Sequence, residues 1–568
     1  MFNFDHALRL GASHLESMVD ARGRTYFDVF ATTPAEAVTD WPDFVDLPAR
    51  YLEAAAMVAP ALGRPVRTMP ALRRGLFAAI RPDGLAYRPD GPISHPVAEL
   101  FDQSRLLYAL VTCVMADPAD DEARRHLQNL CAGLHRRATH TGNYAFIDQI
   151  GVYFGGTLIR PLVQTGLVLQ APQWIAFAAA LARGIVEHST HFAPDGAFKG
   201  HAHGHLGTAA GFLACGMVTG DHTLRERART IFDWARSVST SFGFVPEVAQ
   251  RQDDLIACET CTLMDYLDLA LLLARHVDGA YWDVVEKAAR NHLLESQIRD
   301  ASWLAESTGA ADEDGVIRDQ LRAKLRGAFA GWSAPHAALA YEEQFWPGWV
   351  RSPELQARYL GKVRAVQNCC AGGGIRALHQ VWSNIIQCDG RTIQINLLLD
   401  KAIPEAAVTS FLPHEGRVRV DLHRNGHLRI RIPGGTPATA IATTRNGAPH
   451  TATVDGFFLD FGEMTAGDVV ELRFPVPQHT EAVVVGNAGF QQYRFQAEWR
   501  GDTVMAMTAA PDNPATGYSD PMKKTVRLFY GPDAPGRLYR RAATPPPDSI
   551  PSPCVTDVGT IDWYRLDQ

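Results

Sequence analysis

The chain has 568 residues, 46% of them apolar and 20% charged, with a formal net charge of −8. That is an ordinary globular composition, long enough for two or three domains. The negative balance and the lack of a basic run with interleaved aromatics argue against a nucleic-acid partner.

The N-terminal Met1-Phe2-Asn3-Phe4-Asp5-His6 has neither the basic nor the apolar region of a secretory signal. Nine cysteines in so long a chain do not make a disulfide framework, and an odd count fits a reducing compartment. A cytoplasmic location is therefore expected. Up to about residue 385 the apolar pattern is helical. Leu100, Leu107, Leu110, Val111 and Val114 share one face, as do Leu224, Ala228, Ile231, Phe232 and Ala235. Leu263, Leu267, Leu271 and Ala274 form a further stripe, and Val284, Val285, Ala288, Ala289 and His292 another. Gly166 to Ile185 is apolar, but Gln170, Pro172, Gln173 and Arg183 interrupt it. It reads as a buried helix and not as a membrane span. Helices separated by Gly- and Pro-bearing loops, such as Asp195-Gly196 and Trp346-Pro347-Gly348, suit a toroid of helical hairpins.

Within this helical region lie the residues that can carry chemistry. Gly200-His201-Ala202-His203-Gly204-His205 places His201, His203 and His205 at alternate positions. Imidazoles in this pattern can hold a metal or hydrogen-bond sugar hydroxyls. Glu247 follows Pro246 in a loop twelve positions before Glu259, with Asp253 and Asp254 as rival acids. Cys258-Glu259-Thr260-Cys261 precedes a helix, and Cys369-Cys370 opens another after Asn368. Helix N-termini favour thiolates and carboxylates. Glu259, Cys261, Cys369 and Cys370 form a reasonable tetrahedral Zn2+ set. Three other readings stay open: a Cys258/Cys261 redox pair, a structural four-cysteine zinc that uses Cys258, and buried thiols without metal. Phe345, Trp346 and Trp349 beside Glu342 and Glu343 are suited to stacking on sugar rings, with Trp346 as the candidate substrate contact. No P-loop, dinucleotide fingerprint or nucleophile elbow is present.

Near residue 390 the period changes to two. Thr392 to Leu397, Arg417 to Leu422, His427 to Ile432, Val469 to Phe474 and Thr525 to Tyr530 alternate, with Asn425-Gly426 and Asn446-Gly447 as turns. Antiparallel β-sandwich domains are expected here, followed by the proline-rich Thr544-Pro545-Pro546-Pro547. The boundaries this pattern sets are 1–388, 389–480, and 481–568 including the tail.

Taken together, Glu259-Thr260-Cys261 opening a helix and Cys369-Cys370 about a hundred residues on resemble glycoside hydrolase family 127, which includes β-L-arabinofuranosidases. Ala289 to Gln297, His427 to Pro433, Asn446-Gly447, Asp455-Gly456-Phe457 and Gly467-Asp468 are similar to further segments of that family. The resemblance implies an (α/α)6 barrel followed by β-sandwich domains. It implies retaining hydrolysis with a cysteine nucleophile in a zinc site of one glutamate and three cysteines. Carried over, the ligands are Glu259, Cys261, Cys369 and Cys370, the nucleophile is Cys369, and the acid/base is Glu247. His201 and His203 match the family's sugar-contacting region. The implied partner is a glycoside or oligosaccharide, with neither nucleic acid nor membrane, and a homodimer is left open. The chain departs from the family where Ala371-Gly372-Gly373-Gly374 stands in place of prolines and where the histidine segment lacks an asparagine. The spacing from Glu247 to Glu259 is also short. Two alternatives are a histidine-based sugar epimerase and a carbohydrate-binding protein with structural zinc.

Overall fold

Segments with apolar residues every three to four positions fold as helices, and segments with alternating residues fold as strands. The computed structural model describes residues 3–39, 44–250, 256–313, 315–338, 341–344, 364–486, 492–513 and 561–566, with 353, 354, 357, 517, 518, 525–528 and 539. The principal helices are α1 (Phe4–Ser17), α2 (Asp46–Leu62), α3 (Met69–Ala78), α4 (Leu100–Ala116), α5 (Asp121–Arg137), α6 (Thr157–Val168), α7 (Pro172–His188), α8 (Ala202–Thr219), α9 (His222–Ser237), α10 (Thr260–His276), α11 (Tyr281–Ala288) and α12 (Cys369–Ser383).

Helices α2, α4, α6, α8, α10 and α12 each pack on the next, and α12 packs back on α2, so they close a ring. Helices α3, α5, α7, α9, α11 and α1 lie against α2, α4, α6, α8, α10 and α12 respectively. The two sets differ as burial demands. Helix α8 is buried from Ala202 to Gly216 and α10 from Thr260 to Ala274. Helix α9 buries only Leu224, Ala228, Ile231, Phe232 and Ala235. Asn3, Asp120 and Asp221 cap α1, α5 and α9 by accepting a backbone N–H.

Gly166 to Ile185 is not one helix. Helix α6 ends at Val168, Gln170 takes a positive φ of 51°, and Pro172 starts α7. Proline suits a first helical turn because the N–H it lacks has no partner there. The stripe through His292 likewise widens after Ala288 into a π-type turn, Ala289–Leu293.

The strand-rich region contains a five-stranded and a six-stranded sheet, then a three-stranded sheet of Gln478–Val485, Tyr493–Arg500 and Thr503–Ala509. Val418, Val420 and Leu422 of one large sheet, and Ile393, Ile395, Leu428 and Ile430 of the other, are buried, while the residues between them are more exposed. One pair corrects the all-antiparallel expectation: Thr392–Ile395 runs parallel to Gly426–Arg431. Between them the chain leaves for the other sheet, builds Lys401–Ala402, Ala406–Ser410 and Arg417–Leu422, and returns in the original direction. Tyr341–Gln344 is a strand paired with Thr525–Leu528.

Residues 561–566 return to the helical ring. The Trp563 carbonyl accepts from Arg160 and Gln164 of α6, and Tyr564 Oη donates to Asp268 of α10 at 2.7 Å. Asp562 pairs with Arg275 of α10, and the Trp563 ring lies 5.7 Å from Tyr108 of α4. Around this insertion Arg160, Asp268, Arg376 and Glu53 form a buried set of alternating charges. Such charges are tolerated inside a protein when each has an opposite partner. Among the described residues no helix is long and apolar enough to cross a membrane.

Candidate metal centre and acid site

Short strands bring the chemistry-bearing residues to the N-terminal ends of the ring helices. Gly200–His201 pairs with Val248–Ala249, and the Glu247 carbonyl accepts from Ala202 N–H at 2.7 Å, so Glu247 lies beside His201. Cys258–Glu259 pairs with Trp332–Ser333, and α10 starts at the next residue. Asn368 N–H donates to the Phe27 carbonyl at 2.7 Å, which sets Cys369 and Cys370 at the start of α12.

Glu259, Cys261, Cys369 and Cys370 each offer one ligand atom, these atoms lie within 4.8 Å of one another, and all four residues are buried. Cys261 Sγ is 3.5 Å from Cys370 Sγ, and Cys369 Sγ is 3.7 Å from it. A tetrahedral site with metal–sulfur bonds of about 2.3 Å has edges of roughly 3.8 Å, so the thiol spacing fits. A second group, His201, Glu247 and Glu259, meets the same 4.8 Å limit and shares Glu259 with the first.

The glycines of α12 make this convergence feasible. A Cβ at Gly372 would stand 2.9 Å from Arg50 Cβ, and one at Gly373 would stand 3.4 Å from Cys261 Sγ. Helix α2 therefore comes close enough for Arg50 to donate to Cys261 Sγ at 3.2 Å while its Nε holds Asp46 at 2.8 Å. Hydrogen bonds from Cys369 and Cys370, with Arg50 and His203 nearby, hold Cys261 well below the usual thiol range. The hydrogen bond with Cys261, with burial, pushes Cys369 up, and burial together with Cys261 pushes up Cys370. Burial opposes a charge on His201, yet Glu259 by charge and hydrogen bond, with Glu247, pulls its pKa up to about 9.

The three histidines separate. His201 Nε2 lies 2.6 Å from Glu259 Oε2. His203 is buried between Asp265, 2.7 Å from Nδ1, and Arg105, 2.6 Å from Nε2. His205 stacks on Phe198 with ring centroids 4.5 Å apart and bonds the His201 carbonyl through Nδ1. The structure therefore brings Glu247, His201, Glu259, Cys261, Cys369 and Cys370 together and sets His203 and His205 behind them. Cys258 is buried with its Sγ 3.8 Å from the Glu259 carbonyl, and it is not in either ligand group. Trp346, Phe345, Trp349, Asp253 and Asp254 lie outside the described residues, as does the proline-rich segment.

Sequence reasoning missed Arg50, Arg105, Asp265 and Tyr153. The first three are charges on otherwise apolar ring helices, a pattern that marks a buried polar contact. Tyr153 sits in Gly151-Val152-Tyr153-Phe154-Gly155-Gly156, whose glycines mark a helix irregularity. There Gly156 N–H reaches back to the Gly151 carbonyl, and Gly155 adopts a φ of 137°.

No protein-family model and no curated protein matches the sequence. Solved structures do. A GH127 β-L-arabinofuranosidase from Geobacillus stearothermophilus T6 superposes with a TM-score of 0.56 at 16% identity, covering 94% of this chain and 93% of that one. A second GH127 β-arabinofuranosidase gives 0.57 at 13% identity, covering 93% and 90%. A third structure, a glycoside hydrolase, gives 0.54 at 16% identity, covering 86% and 84%. The chain has the fold of the GH127 structures, as the sequence resemblance implies.

Proposed function

We propose that this protein is a zinc-dependent retaining glycoside hydrolase of the β-L-arabinofuranosidase type. Its helical ring is read as an (α/α)6 barrel, and its two large sheets as a β-sandwich. The domains are 1–388, 389–480 and 481–568. The observation that carries the proposal is the convergence of three thiols and one carboxylate beside a second carboxylate, Glu247. Buried thiols with no ligand to bind do not need this arrangement.

Glu259, Cys261, Cys369 and Cys370 would hold the ion, which keeps the thiols ionised near neutral pH. Cys369 is assigned as nucleophile because it retains 8% exposure, whereas Cys261 and Cys370 have none. Its Sγ attacks the anomeric carbon as the glycosidic C–O bond breaks, and Glu247 gives its proton to the leaving oxygen. Glu247 then takes a proton from water. That water attacks the same carbon, the C–S bond breaks, and Cys369 returns as thiolate. Arg50 supports the sequence by stabilising negative charge on Cys261. The substrate is read as a glycoside or small oligosaccharide, and β-L-arabinofuranoside is the first sugar to try.

The test is zinc content together with hydrolysis of an aryl glycoside panel by wild type and Cys369→Ser. Expected are one zinc per chain and release by wild type only, with the variant still folded. Wild-type turnover by Cys369→Ser would remove the cysteine mechanism. Tight zinc binding without turnover on any sugar would favour a structural metal. No zinc and no effect of Cys369→Ser would favour the histidine-based epimerase.

A further inference from the structure

Tyr153 belongs to neither ligand group, yet its phenol joins two parts of the site. Gly204 N–H donates to Tyr153 Oη at 3.0 Å, and Oη lies 2.6 Å from His201 Nδ1. A backbone N–H can only donate, so the Tyr153 O–H is left to find an acceptor. Among the described residues His201 Nδ1 is the acceptor within reach. With Nδ1 turned to the phenol, Nε2 meets Glu259 Oε2 at 2.6 Å. The other carboxylate oxygen, Oε1, faces the thiols, 3.8 Å from Cys370 Sγ. The two oxygens of Glu259 are thereby divided between the donors His201 and Thr262, whose Oγ1 reaches Oε2 at 3.5 Å, and the ligand cluster.

The surroundings are shaped for this contact. A Cβ at position 204 would lie 2.3 Å from Tyr153 Cζ, so glycine there lets the phenol sit over the first turn of α8. Phe101 meets the Tyr153 ring edge-on at 5.6 Å and fixes its plane.

We propose that Tyr153 is a positioning residue: it fixes the His201 ring so that Nε2 donates to Glu259 Oε2, and so aims Glu259 Oε1 at the metal. The inference rests on the metal-site reading of the four ligands. Residues that orient a metal ligand typically contribute about 10- to 100-fold to metal affinity.

The experiment is a double-mutant cycle read by Zn2+ affinity, measured by chelator competition on the full chain. The variants are Tyr153→Phe, His201→Gln and the pair. A glutamine amide can donate to Glu259 without help from position 153. Tyr153→Phe should weaken Zn2+ binding about tenfold or more in the wild-type background and leave it unchanged in the His201→Gln background. Equal Zn2+ affinity of Tyr153→Phe and wild type would overturn the proposal. So would a loss that persists in full when His201→Gln is already present. Wild type that binds no Zn2+ would overturn the metal reading itself, a separate result. If Tyr153→Phe does not fold, His201→Gln against His201→Leu decides the point. The proposal requires His201→Gln to keep near-native affinity and His201→Leu to lose it, and equal affinities would overturn it.

Discussion

His14, His205, His292 and His379 are buried in the helical region. Burial lowers His14 and His205 to about 4, and His292 and His379 to about 3. A depressed folded-state pKa means that the unfolded chain takes up protons first as pH falls from 6.5. Stability from these groups is therefore complete above pH 6.5 and is lost toward pH 4. Asp102 and Asp400, raised by burial to about 6, act in the opposite sense between pH 6 and 4. Among the described residues His379 has no hydrogen-bond partner on either ring nitrogen, and it loses about 3 kcal/mol of stability by pH 4. His379→Leu should unfold at lower pH than wild type in an acid titration followed by circular dichroism. An identical acid limb would show that the ring does not stay neutral. At this scale the thiols and Glu259 were legible through the resemblance of their two motifs to a known family, since the residues alone left a redox pair, a structural zinc and metal-free thiols open. Tyr153 and Arg50 were not. Each matters only because a distant segment, the first turn of α8 or Cys261, folds against it.

Helices follow the same division. The stripes on α4, α9 and α10 were readable because each repeats one apolar face over several turns. The break at Gln170 and Pro172 was hidden because apolar residues continue on both sides of it. The parallel strand pair was hidden because alternation gives a strand's faces but not its direction. Glycines 372 to 374 looked like a departure from the family and proved to be points of close approach. Gly374 is the tightest, since an added Cβ would stand 2.3 Å from Phe329 Cγ. Gly374→Ala should destabilise the protein, because overpacking costs about 1–3 kcal/mol. The opposing helix-propensity gain is about 1 kcal/mol. A lower urea midpoint for folding is the expected result, and an unchanged midpoint would mean that α12 can move away from Phe329.

Across the whole molecule, the ring and the segment at 561–566 depend on each other. Trp563 and Tyr564 are 1% exposed and contact α4, α6 and α10. Trp563→Ala should cost about 3–5 kcal/mol, the range for a buried aromatic, and lower the thermal midpoint of the helical region. An unaltered midpoint would show that the insertion adds nothing to the ring. Nothing periodic marks these six residues, so no sequence pattern could assign them to the helices.

Their position also orders events during synthesis. Translation produces every ring helix by Ser383 and then the strand-rich region before it reaches Trp563. Until then Arg160 and Gln164 lack the Trp563 carbonyl, and Asp268 lacks the Tyr564 phenol. A chain halted anywhere in the strand-rich region has the sequence of every ring helix and none of these three contacts.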